Sequence, residues 1–332
     1  MKIIITGGMG FIGNSLAAKL LEEGHQVISV GRTKQPPVEK MLKGLEYFSC
    51  NLAEENLPKS VLSNTDVVFH TAAKAGVGGK YEEYHSANYL STIRILKSCH
   101  AYGVRKFIQT STPSVVFSNQ PIRNGDERLP YVESSSAPYP FTKALAEKQV
   151  LQAHNPPHFQ TISLRPHLVW GPGDPHLLPR VLSRHRKGKL KIIGKGDNMV
   201  DLTHIDNVCH AHLLVMKGMF GNHNMGGKPY FIGQSEPVRL WDWINEIFDH
   251  LNLPILRKKV SFKKAYYLGF LMEGLWNSLS LQQDPPMTRF VASQLAHDHW
   301  FSNQDALSDF GYRPIISMDD AMRKTIPWLK SL

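Results

Sequence analysis

The sequence has few cysteines, and this scarcity limits the folds and compartments that we consider. Only Cys50, Cys99 and Cys209 occur in 332 residues, and no two of them are close in the chain. A disulfide framework is therefore excluded, and no Cys/His spacing typical of zinc ligands is present. The chain starts directly in an apolar, strand-like run, so we expect it to have no signal sequence. We therefore expect a reducing, cytoplasmic location.

The sequence also lacks long hydrophobic runs, internal repeats and low-complexity tracts. Hydrophobic residues make up 42% of the chain and charged residues 20%, which is typical of a soluble globular protein with an ample core. The formal net charge of +10 is dispersed, apart from short basic runs at residues 184–191 and 257–264. Such general basicity suits anionic ligands or an acidic membrane surface, and we predict no nucleic-acid partner.

Two common kinds of catalytic machinery are missing as well. The sixteen histidines include His204, His210 and His212, and also His297 and His299, but none of these forms the i, i+4 pair of a helical metal site. We therefore predict no metal centre. A G-x-S-x-G nucleophile elbow is absent too, which leaves acyl-enzyme hydrolysis without support.

The start of the chain contains a nucleotide-binding glycine pattern. The β-branched run at residues 3–5 precedes Gly7, Gly10 and Gly13, and an amphipathic segment continues to Gly24. This order predicts a strand, a tight turn and a helix. Gly7 permits the turn, Gly10 lets backbone N–H groups approach a pyrophosphate, and Gly13 allows close helix packing. The cofactor-binding residues predicted here are Gly7, Gly8, Met9, Gly10, Phe11, Ile12 and Gly13.

The end of the second predicted strand indicates which dinucleotide is preferred. An acid at this point would bind the ribose 2′-hydroxyl of NAD, but the chain has Arg32 and no carboxylate until Glu39. A guanidinium can bind a 2′-phosphate through charge-assisted hydrogen bonds. The alternative is that Arg32 and Lys34 are solvated surface residues. We predict that NADP(H) is preferred, with NAD(H) as the second choice.

Tyr139 and Lys143 form a Y-x-x-x-K pattern further along the chain. Residues four apart lie on one face of a helix. The Lys143 ammonium can then stabilise the phenolate of Tyr139 and lower its pKa toward neutrality. Tyr139 is therefore predicted to be a proton donor.

Strand-like and helix-like segments alternate through the first half of the chain. Residues 66–70, 106–111 and 160–164 are apolar and strand-like, whereas residues 81–102 have a helical period. This alternation predicts the α/β class, with a Rossmann doubly wound parallel sheet.

The composition of the sequence and the pattern of its predicted elements change beyond about residue 171. Gly/Pro-rich loops, short strands and helix-like stretches at residues 207–217 and 240–251 follow. They predict a smaller, mainly helical C-terminal substrate lobe. We therefore divide the chain into a NADP(H)-binding domain at 1–170, which includes the Tyr139 helix, and a substrate-binding lobe at 171–332, with the chain crossing between the two.

Taken together, these motifs resemble the extended short-chain dehydrogenase/reductases over essentially the whole chain. The motifs occur in the order TGGMGFIG, HTAA, Asn88, TSTPSV, YPFTK and RPHLVWGPGD. PPMTRF at residues 285–290 and LSDFGYRP at residues 307–314 resemble the 3β-hydroxysteroid dehydrogenase and sterol-4α-carboxylate dehydrogenase branch. AAKAG, TSTPSV and GPGDPHLLPR are similar to the 2-alkyl-3-oxoalkanoate reductases of bacterial olefin synthesis.

The resemblance implies roles for individual residues. Tyr139 would be the general acid/base, Lys143 would orient the nicotinamide ribose, and the Thr112 hydroxyl would polarise the substrate oxygen. Ser111 competes with Thr112 for this last role because the strand register decides which hydroxyl points inward. Both could also be ordinary strand-end hydroxyls. Asn51 stands where many members have an aspartate, and its amide can still bond to the adenine. The other implied cofactor residues are Leu52, Thr71, Ala72, Ala73, Asn88, Thr110, Pro166 and Leu168.

The stretch at residues 265–281 is rich in aromatic and aliphatic side chains but too short to span a bilayer, which needs about 20 apolar residues. It could be a lid over an apolar pocket, a contact with a membrane surface, or a core helix or dimer contact. Together with residues 74–80 and 177–186, it is expected to determine specificity.

We therefore predict an NAD(P)(H)-dependent oxidoreductase that interconverts a ketone and a secondary alcohol. The expected substrate is large and apolar: a 3-oxo acyl compound, a 2-alkyl-3-oxoalkanoate or a 3β-hydroxysteroid-like compound. The alternatives are a nucleotide-sugar epimerase or dehydratase, and a non-catalytic cofactor-sensing protein, although the latter would be expected to lose Tyr139 or Lys143. A homodimer is expected, and the membrane contact, if there is one, would be peripheral and run through residues 265–281.

Overall fold

The computed structural model describes residues 1–134, 137–221, 226–279, 281 and 284–332. Ser280, part of the predicted specificity stretch, lies outside the described residues. The strands are β1 Lys2–Thr6, β2 Gln26–Gly31, β3 Leu45–Ser49, β4 Val67–His70, β5 Lys106–Thr110, β6 Ile122–Gly125, β7 Gln160–Pro166, β8 Val169–Trp170, β9 Ile192–Ile193, β10 Met199–Val200, β11 Thr203–His204, β12 Pro229–Ile232, β13 Val238–Arg239, β14 Lys259–Val260 and β15 His299–Phe301. The helices are α1 Phe11–Glu22, α2 Lys59–Leu62, α3 Tyr81–Tyr84, α4 Ser91–Ala101, α5 Pro138–Gln152, α6 Leu177–Arg186, α7 Ile205–Phe220, α8 Leu240–His250, α9 Phe262–Ser278, α10 Arg289–Ala296, α11 Gln304–Phe310 and α12 Met318–Lys330.

The main sheet is parallel throughout, with strand order β12-β7-β5-β4-β1-β2-β3. The chain moves outward from β1 to β3 and then returns to the other side of β1 with β4. The loops after β1 and β4 therefore diverge at the carboxyl edge and leave a crevice between them, which is where ligands bind in open parallel sheets. The predicted Rossmann α/β class is confirmed.

The run of isoleucines in β1 explains why this strand is central. Ile3 and Ile5 pack into one hydrophobic core together with α1 and α7, whereas Ile4 points to the opposite face and packs with residues of α4. Successive side chains of a strand alternate between faces, so a continuous apolar run is needed when both faces are covered. This is the pattern of a strand buried inside a parallel sheet.

The segment predicted to be one helix at residues 81–102 follows a helical path but is not uniformly α-helical. Between α3 and α4, residues His85–Leu90 widen into a π-helical turn. The hydroxyls of Ser91 and Thr92 donate to the carbonyls of Ala87 and Asn88, at 2.5 and 2.6 Å. Such back-bonding to the preceding turn distorts helices, and π-bulges are frequent at functional sites.

The second half of the chain forms its own core and also contributes to the main sheet. Trp170, Leu178, Trp241, Ile244 and Leu329 belong to one buried cluster built from α6, α8 and α12. In contrast, β12 joins the parallel sheet beside β7, and α7 packs on α1. The chain thus crosses between the two halves, while the domain boundary at residue 170 remains a prediction. None of the helices in the described part of the chain has the length and apolar content needed to cross a membrane.

Candidate active site

The glycine turn after β1 lies unusually close to the loop after β4. Gly7 has a φ of +73°, and a Cβ atom there would lie 2.8 Å from the backbone nitrogen of Ala72. A Cβ atom on Gly13 would lie 2.4 Å from the Gly7 carbonyl oxygen. Only glycine fits either position. The turn leads to Gly10, the N-cap of α1. The backbone N–H groups there have no intrahelical partners and can donate hydrogen bonds to an anion.

A cavity of about 420 Å³ opens at this crevice. Eight of the predicted cofactor residues line it: Gly7, Gly10, Arg32, Asn51, Leu52, Thr71, Ala72 and Ala73. The cavity lining does not include the predicted residues Gly8, Met9, Phe11, Ile12, Gly13, Asn88, Thr110, Tyr139, Lys143, Pro166 and Leu168. Its position and its glycine cradle fit the adenosine and diphosphate part of a dinucleotide.

Arg32 stands at the end of β2 as predicted, at the mouth of this cavity, and is exposed. It has no ion pair with any side chain in the described ranges. A second cation approaches the glycine loop from the segment that follows: the Lys40 ammonium donates to the Met9 carbonyl at 3.0 Å. Lys40 was missed by the sequence analysis because no pattern links a residue of a long loop to the turn it will cover. His176 also lines the cavity without having been predicted.

Asn88 holds Lys74, a residue of the cavity wall, in place through hydrogen bonds. Its side-chain oxygen accepts from the Lys74 N–H at 2.7 Å, and its amide donates to the Lys74 carbonyl at 3.2 Å. The same amide donates to the Thr142 hydroxyl at 3.1 Å. Asn88 therefore ties the loop after β4 to α5, the helix that carries Tyr139 and Lys143.

The proposed catalytic side chains converge where β5 ends beside the first two turns of α5. Tyr139 lies in the first turn of α5 and Lys143 in the second. The Lys143 ammonium donates to the Thr110 carbonyl oxygen at 2.8 Å. The Thr112 hydroxyl lies close enough to Tyr139 to lower the pKa of the phenol. It donates to the Ser114 hydroxyl and accepts from the Ser114 N–H, both at 3.2 Å.

The hydroxyls of Thr112 and Ser111 lie on different sides of the chain, and that of Ser111 is buried without a hydrogen-bond partner among the described residues. The Thr112 hydroxyl faces Tyr139, whereas Ser111 faces the opposite side, where its hydroxyl contributes to lowering the pKa of the Glu147 carboxyl. The register of the chain after β5 therefore brings the Thr112 hydroxyl, rather than that of Ser111, to the tyrosine.

Behind these residues lies a buried ion pair that the sequence analysis missed. Arg165, from β7, donates through Nε to both Glu147 carboxylate oxygens at 3.1 Å, and both side chains are fully buried. The Tyr131 hydroxyl donates to Glu147 at 2.7 Å. Although burial raises the pKa of Glu147, Arg165 lowers it overall. The spacing of Glu147 four residues after Lys143 was the available signal, since this places both on one helix face.

The predicted lowering of the Tyr139 pKa is not found in this structure. Burial raises the pKa of Tyr139, and the group that opposes this effect is Thr112 through its hydrogen bond. Burial lowers the pKa of Lys143 to about 8, against the attraction of Glu147. The expectation was wrong because burial outweighs the opposing effect of Thr112 on the Tyr139 pKa, and the Lys143 ammonium is directed to the Thr110 carbonyl.

A second, larger cavity of about 790 Å³ lies next to Pro138, the residue before Tyr139. One wall is formed by residues 77–82, and the other by Phe270, Leu271, Leu275 and Trp276 of α9. Two of the three predicted specificity segments therefore meet at one cavity. Helix α9 runs from residue 262 to 278, three residues earlier at each end than the predicted stretch, because Phe262 and Lys263 complete its first turn.

Among the residues that the structure describes, no group of three or more His, Cys, Asp and Glu side chains is placed to hold a metal ion. The buried histidines have other partners. His212 bonds to the Thr110 hydroxyl at 2.8 Å and to the Val208 carbonyl at 2.8 Å.

Residues 4–263 match the 3-beta hydroxysteroid dehydrogenase/isomerase family. The chain is 40% identical, over 98% of its own length and 98% of the relative's, to a 2-alkyl-3-oxoalkanoate reductase of Stenotrophomonas maltophilia. It is 33% identical to the decarboxylating sterol-4-alpha-carboxylate 3-dehydrogenase of Mus musculus, over 98% of this chain and 90% of the mouse protein.

Among solved structures, the UDP-glucuronic acid 4-epimerase of Bacillus cereus in complex with NAD superposes with a TM-score of 0.77 over 100% of this chain and 99% of that one. The sequence identity is 22%. This similarity shows the extended Rossmann fold and leaves the reaction open.

Proposed function

The chain belongs to the 3-beta hydroxysteroid dehydrogenase/isomerase family, and from that premise we propose that it interconverts a ketone and a secondary alcohol on a large apolar substrate. It is a nicotinamide-dependent oxidoreductase, as its named relatives are reductases and dehydrogenases. The observation that carries the proposal is that Tyr139, with Thr112 beside it, directly follows Pro138, which lines a cavity walled by apolar side chains of α9.

The proposed chemistry follows from charge development on the substrate oxygen. A bound nicotinamide cofactor supplies the hydride. As a ketone becomes an alcohol, its oxygen gains alkoxide character, and two hydroxyl donors directed at that oxygen stabilise the charge. Tyr139 delivers its proton there as general acid. Lys143 lies one turn further along α5. There it would hold the nicotinamide ribose, and its positive charge would stabilise the phenolate that Tyr139 becomes after giving up its proton.

The proposed substrate class is a 3-oxo acyl compound, a 2-alkyl-3-oxoalkanoate or a 3β-hydroxysteroid-like compound. Support comes from the relatives, which act by name on an oxoalkanoate and a sterol carboxylate, and from the aromatic and aliphatic lining of the larger cavity. A nucleotide-sugar epimerase or dehydratase shares the fold, but the exposed apolar side chains of α9 offer little to a charged diphosphate.

For the cofactor, we propose a preference for NADP(H) over NAD(H). Support comes from the exposed Arg32, which lines the cavity and has no acidic partner in the described segments, and from Lys40, whose ammonium donates to the Met9 carbonyl of the glycine turn. Cationic groups at this position suit a 2′-phosphate.

We further propose a homodimer and a peripheral membrane contact through residues 265–281. The dimer rests on resemblance to the extended short-chain dehydrogenase/reductases, and analytical ultracentrifugation measures it. The membrane contact is supported by the outward apolar side chains of α9.

Turnover by the purified protein tests the proposed function. NADPH oxidation is measured with a panel of 3-oxo acids, 3-oxo steroids and UDP-sugars, and we expect turnover with the apolar ketones. Tyr139→Phe removes the proton donor and should lower kcat by about 10²- to 10⁴-fold, with cofactor affinity nearly unchanged. Interconversion of UDP-sugars without net cofactor consumption would favour the epimerase, and near-normal kcat in Tyr139→Phe would refute the proposed site.

A further inference from the structure

His70, the last residue of β4, lies buried between two segments on which the proposed site depends. Its Nδ1 is 2.7 Å from the Thr6 hydroxyl at the end of β1, and its Nε2 is 2.9 Å from the Thr92 hydroxyl in α4. The histidine and both threonines are fully buried. The imidazole lines neither of the two cavities formed by the described residues. It can therefore act on a bound molecule only through its neighbours.

The hydroxyl partners determine the direction of each hydrogen bond around His70. The Thr92 hydroxyl has one proton, which it donates to the Asn88 carbonyl at 2.6 Å, so it accepts the proton of His70 Nε2. A neutral imidazole with its proton on Nε2 has Nδ1 as an acceptor, and the Thr6 hydroxyl donates to it. The Thr6 oxygen then accepts from the Ala72 N–H, at 3.4 Å.

These bonds require the neutral form of His70. Burial and the nearby charge of Lys143 lower the pKa of this imidazole to about 3. A second proton on the ring would turn Nδ1 into a donor, and the proton of the Thr6 hydroxyl would lose its acceptor. The chain of bonds therefore runs in one direction, from the Ala72 N–H to the Asn88 carbonyl.

One end of this chain of bonds is the wall of the cofactor cavity. Thr71 and Ala72 line that cavity, and the Thr71 hydroxyl donates to the Thr6 carbonyl at 2.8 Å. Thr6 directly precedes Gly7, whose Cα approaches the Ala72 backbone so closely that a Cβ atom would not fit. A displacement of Thr6 would therefore change the spacing between the glycine turn and the loop after β4.

The other end is the π-helical turn that contains Asn88. The side-chain amide of Asn88 donates to the Thr142 hydroxyl of α5 at 3.1 Å. That hydroxyl in turn donates to the Tyr139 carbonyl at 3.2 Å. His70 is linked in this way, through Thr92, to the turn of α5 that carries the proposed proton donor.

We propose that His70 is a positioning residue whose two ring nitrogens fix two different features of the enzyme. Through Nδ1 and Thr6 it fixes the width of the cofactor cavity, and through Nε2 and Thr92 it fixes the position of α5 relative to that cavity. The proposal deepens the proposed function and rests on it for the role of α5. The part that concerns cofactor binding does not depend on the identity of the substrate.

Two amide substitutions separate the two nitrogens. In His70→Asn, the side-chain oxygen can take the position of Nδ1 and still accept from Thr6, but no donor reaches Thr92. In His70→Gln, the amide nitrogen can take the position of Nε2 and still donate to Thr92, but the Thr6 hydroxyl loses its acceptor. His70→Phe keeps a ring and removes both bonds.

Titration with NADPH and with NADH in the absence of substrate measures cofactor affinity, and kcat is measured with a ketone at saturating cofactor. A buried group left without its hydrogen bond changes an equilibrium constant on the order of tenfold. His70→Gln should therefore bind the cofactor about tenfold more weakly, with kcat nearly unchanged. His70→Asn should bind the cofactor normally and lose about tenfold in kcat. His70→Phe should show both losses; if it does not fold, the two amide variants decide.

His299→Phe is the matched control. His299 is also fully buried, has hydrogen bonds at both ring nitrogens and lines neither cavity of the described residues. Its substitution should lower the melting temperature but leave cofactor affinity and kcat unchanged. Thr92→Val removes the same bond as His70→Asn from the other side. It should reproduce the loss of kcat and add little when the two are combined, because changes to one shared contact are not additive.

Two outcomes would overturn the proposal. Equal losses of affinity and kcat in His70→Asn and His70→Gln would show that the two nitrogens have no separate roles. A lower melting temperature with unchanged affinity and kcat in His70→Phe, as in the control, would show that the histidine supports the fold alone. A selective loss of cofactor affinity in His70→Gln supports the proposal even where the unmutated protein turns over no ketone, a result that would overturn the proposed function alone.

Discussion

At the scale of single residues, the sequence predicted that Tyr139 and Lys143 share a helix face. It did not predict which acceptor the Lys143 ammonium binds, or the direction of the Tyr139 pKa shift. The spacing of Tyr139 and Lys143 placed both on one helix face, as found. The direction of the Lys143 ammonium depends on the Thr110 carbonyl, which comes from a strand 33 residues earlier. A pattern within one helix carries no information about that acceptor. The expected lowering of the Tyr139 pKa therefore failed, although both residues lie on one helix face as predicted.

The choice between Ser111 and Thr112 has a similar explanation. Both follow β5, and alternation of faces along a strand places them on opposite sides. Their assignment needs the groups on each side, which are Tyr139 beside Thr112 and Glu147 on the side of Ser111. The ion pair of Glu147 with Arg165 joins α5 to β7, and such a long-range contact cannot be read from local spacing.

We expect Arg32→Ala to separate the two cofactors. Loss of a charge-assisted hydrogen bond to a 2′-phosphate costs about 1.5–3 kcal/mol, so the dissociation constant for NADPH should rise roughly tenfold or more. NADH affinity should stay nearly constant because NADH has no 2′-phosphate. Titration of the purified variants with each cofactor measures both constants.

Lys34→Ala is the matched control for this prediction. Lys34 is also exposed and lies two residues further along the chain, but it does not line the cavity. Its removal should leave both affinities unchanged. Equal affinities of the unmutated protein for NADPH and NADH would contradict the proposed preference.

At the scale of secondary structure, strongly periodic elements were predicted best. The predicted strand at residues 160–164 and helix at residues 207–217 both occur, slightly extended. The π-helical turn at His85–Leu90 was missed because it arises from hydroxyl side chains bonding to the preceding turn. The apolar periodicity is nearly the same for an α-helix and for a helix with one wide turn.

Helix α9 shows which property of an element the sequence leaves open. Its composition was compatible with a lid, a membrane contact or a core helix. The structure places Ala265 inside and leaves Tyr267 and Phe270 more than half exposed, which excludes an ordinary core helix. The deciding contact, Gly269 against the backbone of Thr288, lies about 20 residues away in the chain.

Substitutions in α9 should change how catalytic efficiency depends on substrate length. For 3-oxo acids, kcat/KM should increase with chain length and then level off, because each buried methylene contributes about 0.8 kcal/mol. Phe270→Asp introduces a charge at the cavity wall and should flatten this dependence while leaving NADPH affinity unchanged. Steady-state kinetics over a series of chain lengths provide the measurement.

Leu268→Asp serves as the control, because Leu268 is exposed on the same helix but does not line the cavity. Its length dependence should match that of the unmutated protein. A flat profile in the unmutated protein, together with turnover of UDP-sugars, would instead support the epimerase.

At the scale of the whole molecule, the sequence predicted two lobes with the chain crossing between them, but not which elements cross. Strand β12 has four residues and α7 has sixteen, and both return from the second half to the nucleotide-binding sheet. Many strands of the second lobe have only two residues, too few to show an alternating pattern. Their pairing is decided by the packed core around Trp170 and Trp241.

Buried neutral histidines on both halves should make the whole fold sensitive to acid. Burial lowers the pKa of His70 to about 3 and those of His204, His212 and His299 to about 4, from an ordinary value of 6.5. Between about pH 4 and 6.5, the unfolded chain therefore binds more protons than the folded one. The free energy of unfolding must then decrease as the pH falls through this window.

The expected loss is about 2 kcal/mol per histidine on going from pH 7 to pH 5. Four such side chains therefore account for a large part of a typical stability of about 5–15 kcal/mol. The melting temperature measured across this range should fall steeply.

Asp201→Asn is an opposing control, because burial raises the pKa of Asp201 to about 7. The stability that this group contributes is present at low pH and is lost as the pH rises through 7. The variant should gain more stability at pH 8 than at pH 5. An unchanged melting temperature between pH 7 and pH 5 in Asp201→Asn, which lacks the opposing group, would show that these imidazoles are protonated in the folded protein.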